Sequence, residues 1–155
     1  MILISHRGNI NGSIKSLENN PIYLDSAIKN GYDVELDIWY INNELWTGHD
    51  HPKYHIDLDW LESRIKYIWI HCKNIDSLLF LKLQNNSFNF FWHENDTISL
   101  TSIGYIWAYP GKQPIPNSIA VLPELHNDKI KECIGICSDE ISKYRDSYYD
   151  KNNYL

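Results

Sequence analysis

Cysteine is scarce in this chain, with Cys72, Cys133 and Cys137 as three among 155 residues. An odd count at this length argues against a disulfide scaffold and fits a reducing compartment, and the Cys133/Cys137 spacing matches no zinc motif. Long apolar runs are missing as well. Nothing approaches the roughly 20 residues of a membrane span, and Met1-Ile2-Leu3-Ile4-Ser5-His6 has no basic stretch ahead of an extended apolar segment. The expectations are no membrane span and a cytoplasmic location. Positive charge is in deficit, since 14 Lys and Arg against 20 Asp and Glu leave a net charge of -6. No cationic tract forms a stripe, so no nucleic-acid partner is expected, although a local phosphate site stays open.

What is present is material for one core: 43% hydrophobic and 22% charged residues, too short a chain for two ordinary domains. Residues 1–155 read as a single domain without linker or internal repeat. Short apolar runs alternate with helical patterns, which predicts βαβ units and a parallel sheet. Strands are predicted over residues 2–6, 33–40, 66–73 and 88–93, with further candidates at 104–109, 118–123 and 133–137. Helical spacing covers 21–30 and 76–84, and 57–63 is a short helix candidate. Asn42-Asn43 ahead of Glu44-Leu45-Trp46-Thr47 is turn chemistry for a hairpin on the second strand.

Alternation along these strands carries the functional clue. In Val34-Glu35-Leu36-Asp37-Ile38 the apolar side chains take one face and both carboxylates the other. In Ile68-Trp69-Ile70-His71-Cys72-Lys73, the pair His71 and Lys73 shares a face with Trp69, opposite Ile68 and Ile70. Burying such charges costs several kcal/mol unless they are paired or metal-bound. At the carboxyl rim of a barrel they sit where active sites are built.

Each motif has a plain alternative. His6-Arg7-Gly8 ends the first strand and reads equally as a polar loop. Glu35-x-Asp37 places two acids at strand spacing, suited to sharing a hard divalent cation or to a solvated edge. Gly48-His49-Asp50 follows the hairpin as a candidate site or an exposed loop. His71-Cys72-Lys73 presents an imidazole and an ammonium, or a strand end whose Lys snorkels. Phe91-Trp92-His93-Glu94 offers His93 as a rim residue. Glu18 of Glu18-Asn19 is a second rim candidate, or a carboxylate favouring a helix N-terminus. Cys72, of opposite parity to His71, reads as packing.

Taken together, Ile4-Ser5-His6-Arg7-Gly8, Leu17-Glu18-Asn19, Ala27 to Gly31, Val34-Glu35-Leu36-Asp37 and Gly48-His49-Asp50 resemble the glycerophosphodiester phosphodiesterase family of the phospholipase C-like phosphodiesterase superfamily. The likeness covers roughly the first half of the chain. Farther on, Ile68 to Lys73 is similar to a family strand with an acid two residues before a Lys, and Ile134-Gly135-Ile136-Cys137-Ser138-Asp139 to its last barrel strand. The resemblance implies an α/β fold, a TIM (β/α) barrel. Because such a barrel takes about 250 residues, a pared-down form with fewer than eight complete βα units is expected. It further implies a phosphoric diester hydrolase acting on a small glycerophosphodiester-like or sugar/polyol phosphodiester. Catalysis would rest on His6 and His49 as acid/base pair, phosphate binding on Arg7 and Lys73, and one divalent cation on Glu35, Asp37 and His71. Mg2+ is the expected ion, with Mn2+ or Ca2+ as alternatives. His71 replaces the family's third acidic ligand, which makes the set less negative and softer and tilts it from Ca2+ towards Mn2+ or a transition metal. The rival readings are a binding module that keeps the phosphate cradle without turnover, and a lyase or transferase that yields a cyclic phosphate or passes on the phosphoryl group.

Overall fold

The computed structural model describes residues 1–84 and 87–145. In chain order the elements are β1 (Ile2–His6), α1 (Pro21–Lys29), β2 (Asp33–Ile41), β3 (Glu44–Thr47), β4 (Tyr54–Ile56), α2 (Leu58–Glu62), β5 (Ile68–Cys72), α3 (Ile75–Leu83), β6 (Phe90–Phe91), β7 (Ile98–Leu100), β8 (Ile106–Ala108), β9 (Ser118–Val121) and β10 (Gly135–Ser138). A 3-10 turn spans Pro123–Leu125, and residues 141–145 are helical.

The result is a mixed α/β structure around one curled, mostly parallel sheet. Seven strands run parallel in the order β6-β5-β2-β1-β10-β9-β8. β2 forks: Val34–Ile38 pair with β5, and Ile38–Ile41 pair with β3, whose hairpin continues into β4. At the far end β7 lies antiparallel on β8. The two ends of the sheet approach each other. Ser102 N donates to Phe90 O at 2.8 Å, Phe90 N donates to Ser102 Oγ at 3.0 Å, and the Phe91 and Trp107 rings lie 4.6 Å apart.

Strand parity sorts the core into two layers. On the outer face, Val34, Leu36, Ile38, Ile68, Ile70 and Cys72 pack with Leu24 and Ala27 of α1, Leu61 of α2 and Leu81 of α3. On the concave face, Ile4, Trp69, Phe91, Trp107, Ile119, Val121 and Cys137 form a second cluster. Gly135 allows this inner layer to close, since a Cβ there would lie 2.7 Å from Ile119 Cδ1 and 2.9 Å from Ile2 Cβ. The helices start where the sequence supplies caps: Asn20 ahead of Pro21 in α1, Asp57 in α2, and an Asn74/Ser77 capping box in α3.

Several boundaries differ from the expectation. Residues 88–93 give only the two-residue β6, 104–109 shorten to β8, 133–137 shift to β10, and 118–123 end early because Pro123 opens the 3-10 turn. β4 and β7 were not anticipated: three residues each are too few to display an alternation. The βα alternation lapses after β6, where β7, loops and the 3-10 turn replace α-helices in the connections up to β10. Among the described residues no helix is long and apolar enough to cross a membrane.

Candidate functional site

Parallel strands end on one side, and here β1, β2, β5 and β10 bring their carboxyl ends together. Their register aligns His6 with Glu35 and Asp37 with His71. Inward parity then aims His6, Glu35, Asp37, His71 and, past the end of β10, Asp139 at one cleft of about 390 Å3, lined by His6, Arg7, Glu35, His49, His71 and Asp139 among others.

Asp37 is the centre. It is fully buried, and its Oδ1 accepts from His71 Nδ1 at 3.0 Å and lies 3.5 Å from Lys73 Nζ. Its Oδ2 accepts from Asn19 Nδ2 at 2.8 Å, while Asp37 N donates to Asn19 Oδ1 at 2.9 Å. Arg7 Nε stands 3.0 Å from Oδ2, but out of line for a hydrogen bond, which leaves that N–H without an acceptor. Burial works to raise the Asp37 carboxyl; the His71 hydrogen bond and the charges of Arg7, His71 and Lys73 outweigh it and hold the group far below the usual carboxylate range.

Glu35 is the opposite case. Burial and the neighbouring Asp37 charge push its carboxyl up, against the pull of His6, Arg7 and His71. Its Oε2 is buried and accepts no hydrogen bond. An orphaned carboxylate oxygen at this depth costs free energy unless something positive meets it. One donor atom each from Glu35, Asp37 and His71 lie within 4.8 Å of one another. Because His71 Nδ1 is turned to Asp37, Nε2 remains as its lone pair in the neutral ring. Two carboxylates and an imidazole suit a divalent cation, so the residues present fit one.

His6 leans on Asp139. Its Nδ1 donates to Asp139 Oδ1 at 2.8 Å, and Nε2 lies 3.8 Å from Glu35 Oε2. Burial draws the imidazole down, but the Asp139 bond and the Glu35 charge more than compensate, and the net shift is upward. Asn9 Nδ2 also donates to Asp139 Oδ1, at 2.8 Å. His49 comes from the loop after β3 and goes the other way, lowered by burial and by Arg7 and Lys73 despite Asp50 at 2.7 Å. That loop turns on Gly48 (φ 150), where a Cβ would fall 2.2 Å from His51 O. Trp39 Nε1 clamps the turn by donating to Gly48 O at 2.6 Å. Two histidines with oppositely displaced pKa values are matched to acid and base roles.

Arg7 adopts a left-handed backbone (φ 54), a conformation that costs about 1–2 kcal/mol in a non-glycine residue. Backbone bonds hold it there, Arg7 N to Glu35 O at 3.0 Å and Asn19 N to Arg7 O at 3.1 Å. Glu18 is not a rim residue. It is buried behind Arg7, accepting from Arg7 Nη1 at 3.3 Å, Asn9 Nδ2 at 3.2 Å and Ser13 Oγ at 2.5 Å, because the loop before α1 folds inward over the strand end. His93 stacks on His71, centroids 4.3 Å apart, and lines the cleft. Burial, His71 and Lys73 bring His93 down to about 4.

Of the site residues singled out in the sequence, His6, Arg7, Glu35, His49, His71 and His93 line this cleft, Asp37 and Glu18 are buried behind it, and Lys73, 3.5 Å from Asp37 Oδ1, lines the adjoining compartment. Asn9, Asn19 and Asp139 also belong to the site and were not among the expected site residues, although Asn19 and Asp139 stand in stretches that carry the resemblance. Asp139 follows a strand at the same parity as His6; Asn9 lies in a loop whose pattern says nothing of its path. No family model, no curated protein and no solved structure matches the chain.

Proposed function

We propose that the chain is a metal-dependent phosphodiesterase, a pared-down barrel enzyme of the kind its sequence resembles, that cleaves a glycerophosphodiester-like or sugar/polyol phosphodiester. The observation that carries this reading is one cleft that gathers a buried Glu35 Oε2 accepting no hydrogen bond and the Arg7 guanidinium, whose Nε, 3.0 Å from Asp37 Oδ2, is out of line for one, beside two histidines shifted in opposite directions. A cation would meet the orphaned Glu35 oxygen, and a phosphate diester would meet the Arg7 guanidinium where it lines the cleft.

Glu35, Asp37 and His71 would hold the cation, with Mg2+ or Mn2+ suited to this oxygen and nitrogen set. When bound, it supplies charge compensation for a non-bridging phosphate oxygen and acidifies an attacking hydroxyl. The chain's own groups do the rest. Arg7 and Lys73 bind the phosphate oxygens, Arg7 as a fork and Lys73 as a point charge. His49, kept neutral by its lowered pKa, accepts the proton of the attacking hydroxyl as its oxygen bonds to phosphorus. His6, whose pKa is raised by its bond to Asp139, donates from Nε2 to the alkoxide as its bond to phosphorus breaks. Proton transfers of this kind contribute about 10²–10⁴-fold each. A hydroxyl on the substrate itself, attacking first, gives a cyclic phosphate by the same proton movements. The three cysteines, buried and unpaired, suit a reducing, cytoplasmic setting.

The test is hydrolysis of bis(p-nitrophenyl) phosphate and glycerophosphodiesters after chelation and after adding back Mg2+, Mn2+ or Ca2+, beside His6→Ala and His49→Ala. Turnover that needs metal and both histidines is expected, and phosphorus NMR of the products separates hydrolysis from cyclisation. Metal binding without turnover on any diester refutes the enzyme and leaves a binding module.

A further inference from the structure

Two compartments share one wall. The larger contains His6, Arg7, Glu35 and Asp139; the smaller, about 310 Å3, contains Lys73, Trp92 and Glu94; His49, His71, His93 and Tyr109 line both. The proposed chemistry uses His49 and His71 of that wall and leaves His93 and Tyr109 without a role. Yet this pair is arranged as strictly as the reacting groups. The His93 ring lies within 11° of parallel to that of His71, and the Tyr109 ring stands at 89° to His93 with centroids 4.7 Å apart. The Tyr109 hydroxyl is 3.2 Å from His93 Nδ1, and the residue is 36% exposed.

One proton is shared within this pair, and each way of sharing it has the same consequence. If the phenol donates to Nδ1, its oxygen still accepts; if Nδ1–H donates to the phenol, its O–H still donates. An alcohol hydroxyl, both donor and acceptor, matches the phenol in either state. A phosphate oxygen accepts only, and an ammonium donates only, so each matches one state. Glu94 and Lys73 both line the smaller compartment, so their charges offset there, and Trp92 contributes a flat apolar surface.

We infer that Tyr109, held by His93, is a specificity-determining residue that hydrogen-bonds a free hydroxyl on the alcohol part of a phosphate ester, so that the site selects hydroxylated esters over apolar ones. The inference rests on the phosphodiester reading for the phosphate's place at Arg7 and Lys73. Tyr109 touches the ligand, whereas His93 acts through Tyr109 as a positioning residue.

Calorimetric titration with glycerol 3-phosphate and with n-propyl phosphate, in Mg2+ buffer, tests it without requiring turnover, because the two probes match in length and phosphate and differ in their hydroxyls. The wild-type protein is expected to prefer glycerol 3-phosphate by about three- to ten-fold, as one neutral hydrogen bond provides. Tyr109→Phe should close that gap to within about two-fold, and His93→Phe, which keeps the stack on His71, should narrow it as well, with the double variant adding nothing further. Thermal melts of each variant report folding, and His93→Phe carries the test should Tyr109→Phe fail to fold. A gap that persists in Tyr109→Phe, or no gap in the wild type, overturns the role of Tyr109 whatever the hydrolysis assay gives. Loss of turnover with the gap intact in wild type and closed in Tyr109→Phe overturns only the enzymatic reading, and failure to bind either phosphate overturns both.

Discussion

Asn19 makes the two hydrogen bonds that fix Asp37 from the loop side, and it does so from a left-handed backbone (φ 63) while fully buried. Asn19→Ala removes a hydrogen bond to a carboxylate, worth about 1.5–3 kcal/mol, and strands the buried Asp37 N–H, which costs about 1–3 kcal/mol. Alanine also tolerates the left-handed conformation less well than asparagine, by about 1 kcal/mol. The sum is about 3.5–7 kcal/mol, a large part of the roughly 5–15 kcal/mol that stabilises a domain. Asn19→Gly loses the same bonds without the backbone cost, so it should be more stable than Asn19→Ala by about 1 kcal/mol. Urea unfolding followed by the fluorescence of the six tryptophans measures both. An Asn19→Ala midpoint that corresponds to less than about 1 kcal/mol of lost stability would refute the idea that this side chain holds the site together.

Asp139→Asn should lower the titration of His6, which stands above its ordinary 6.5 with Asp139 present; NMR of the imidazole protons in chelator-treated protein reads it, and an unmoved titration contradicts the pairing. The stability sign follows from the same pair. His6, raised, contributes fully below 6.5 and loses its contribution as pH rises through its folded value, whereas Asp139, lowered, contributes above 3.8 and loses it as pH falls. The gap in unfolding free energy between wild type and Asp139→Asn should therefore be widest between 3.8 and 6.5. Glu35→Gln should weaken Mn2+ binding in calorimetry by at least about ten-fold, and unchanged affinity would remove Glu35 from the cation site. Gly135→Ala should destabilise by about 1–3 kcal/mol through overpacking, since its Cβ would meet Ile119 and Ile2 below 3 Å; a neutral result in thermal melts would show the inner layer to be looser than described.

The site's principal side chains were legible because strand parity is a local property of the backbone. Glu35 and Asp37 share a face whatever β2 pairs with, and so do His71 and the residue two beyond it. Glu18 shows the limit: its position in the chain suggested a rim carboxylate, and the loop's inward fold made it the buried partner of Arg7 instead. The later half was read less well because two- and three-residue strands carry no period.

The sequence by itself determined the faces, the charge that had to be compensated and the strand ends on which the reactive groups stand. Only the tertiary structure decided which of these groups meet. The bond from His6 to Asp139 joins residues 133 apart, and the fork of β2 between β3 and β5 sets Asp37 beside His71. Those meetings leave Glu35 Oε2 and Arg7 Nε without hydrogen bonds and drive the two histidines in opposite directions. Register and curl arise from pairings across the whole chain, and hydrogen-bond partners and burial depend on that register, so no local pattern of residues contains them.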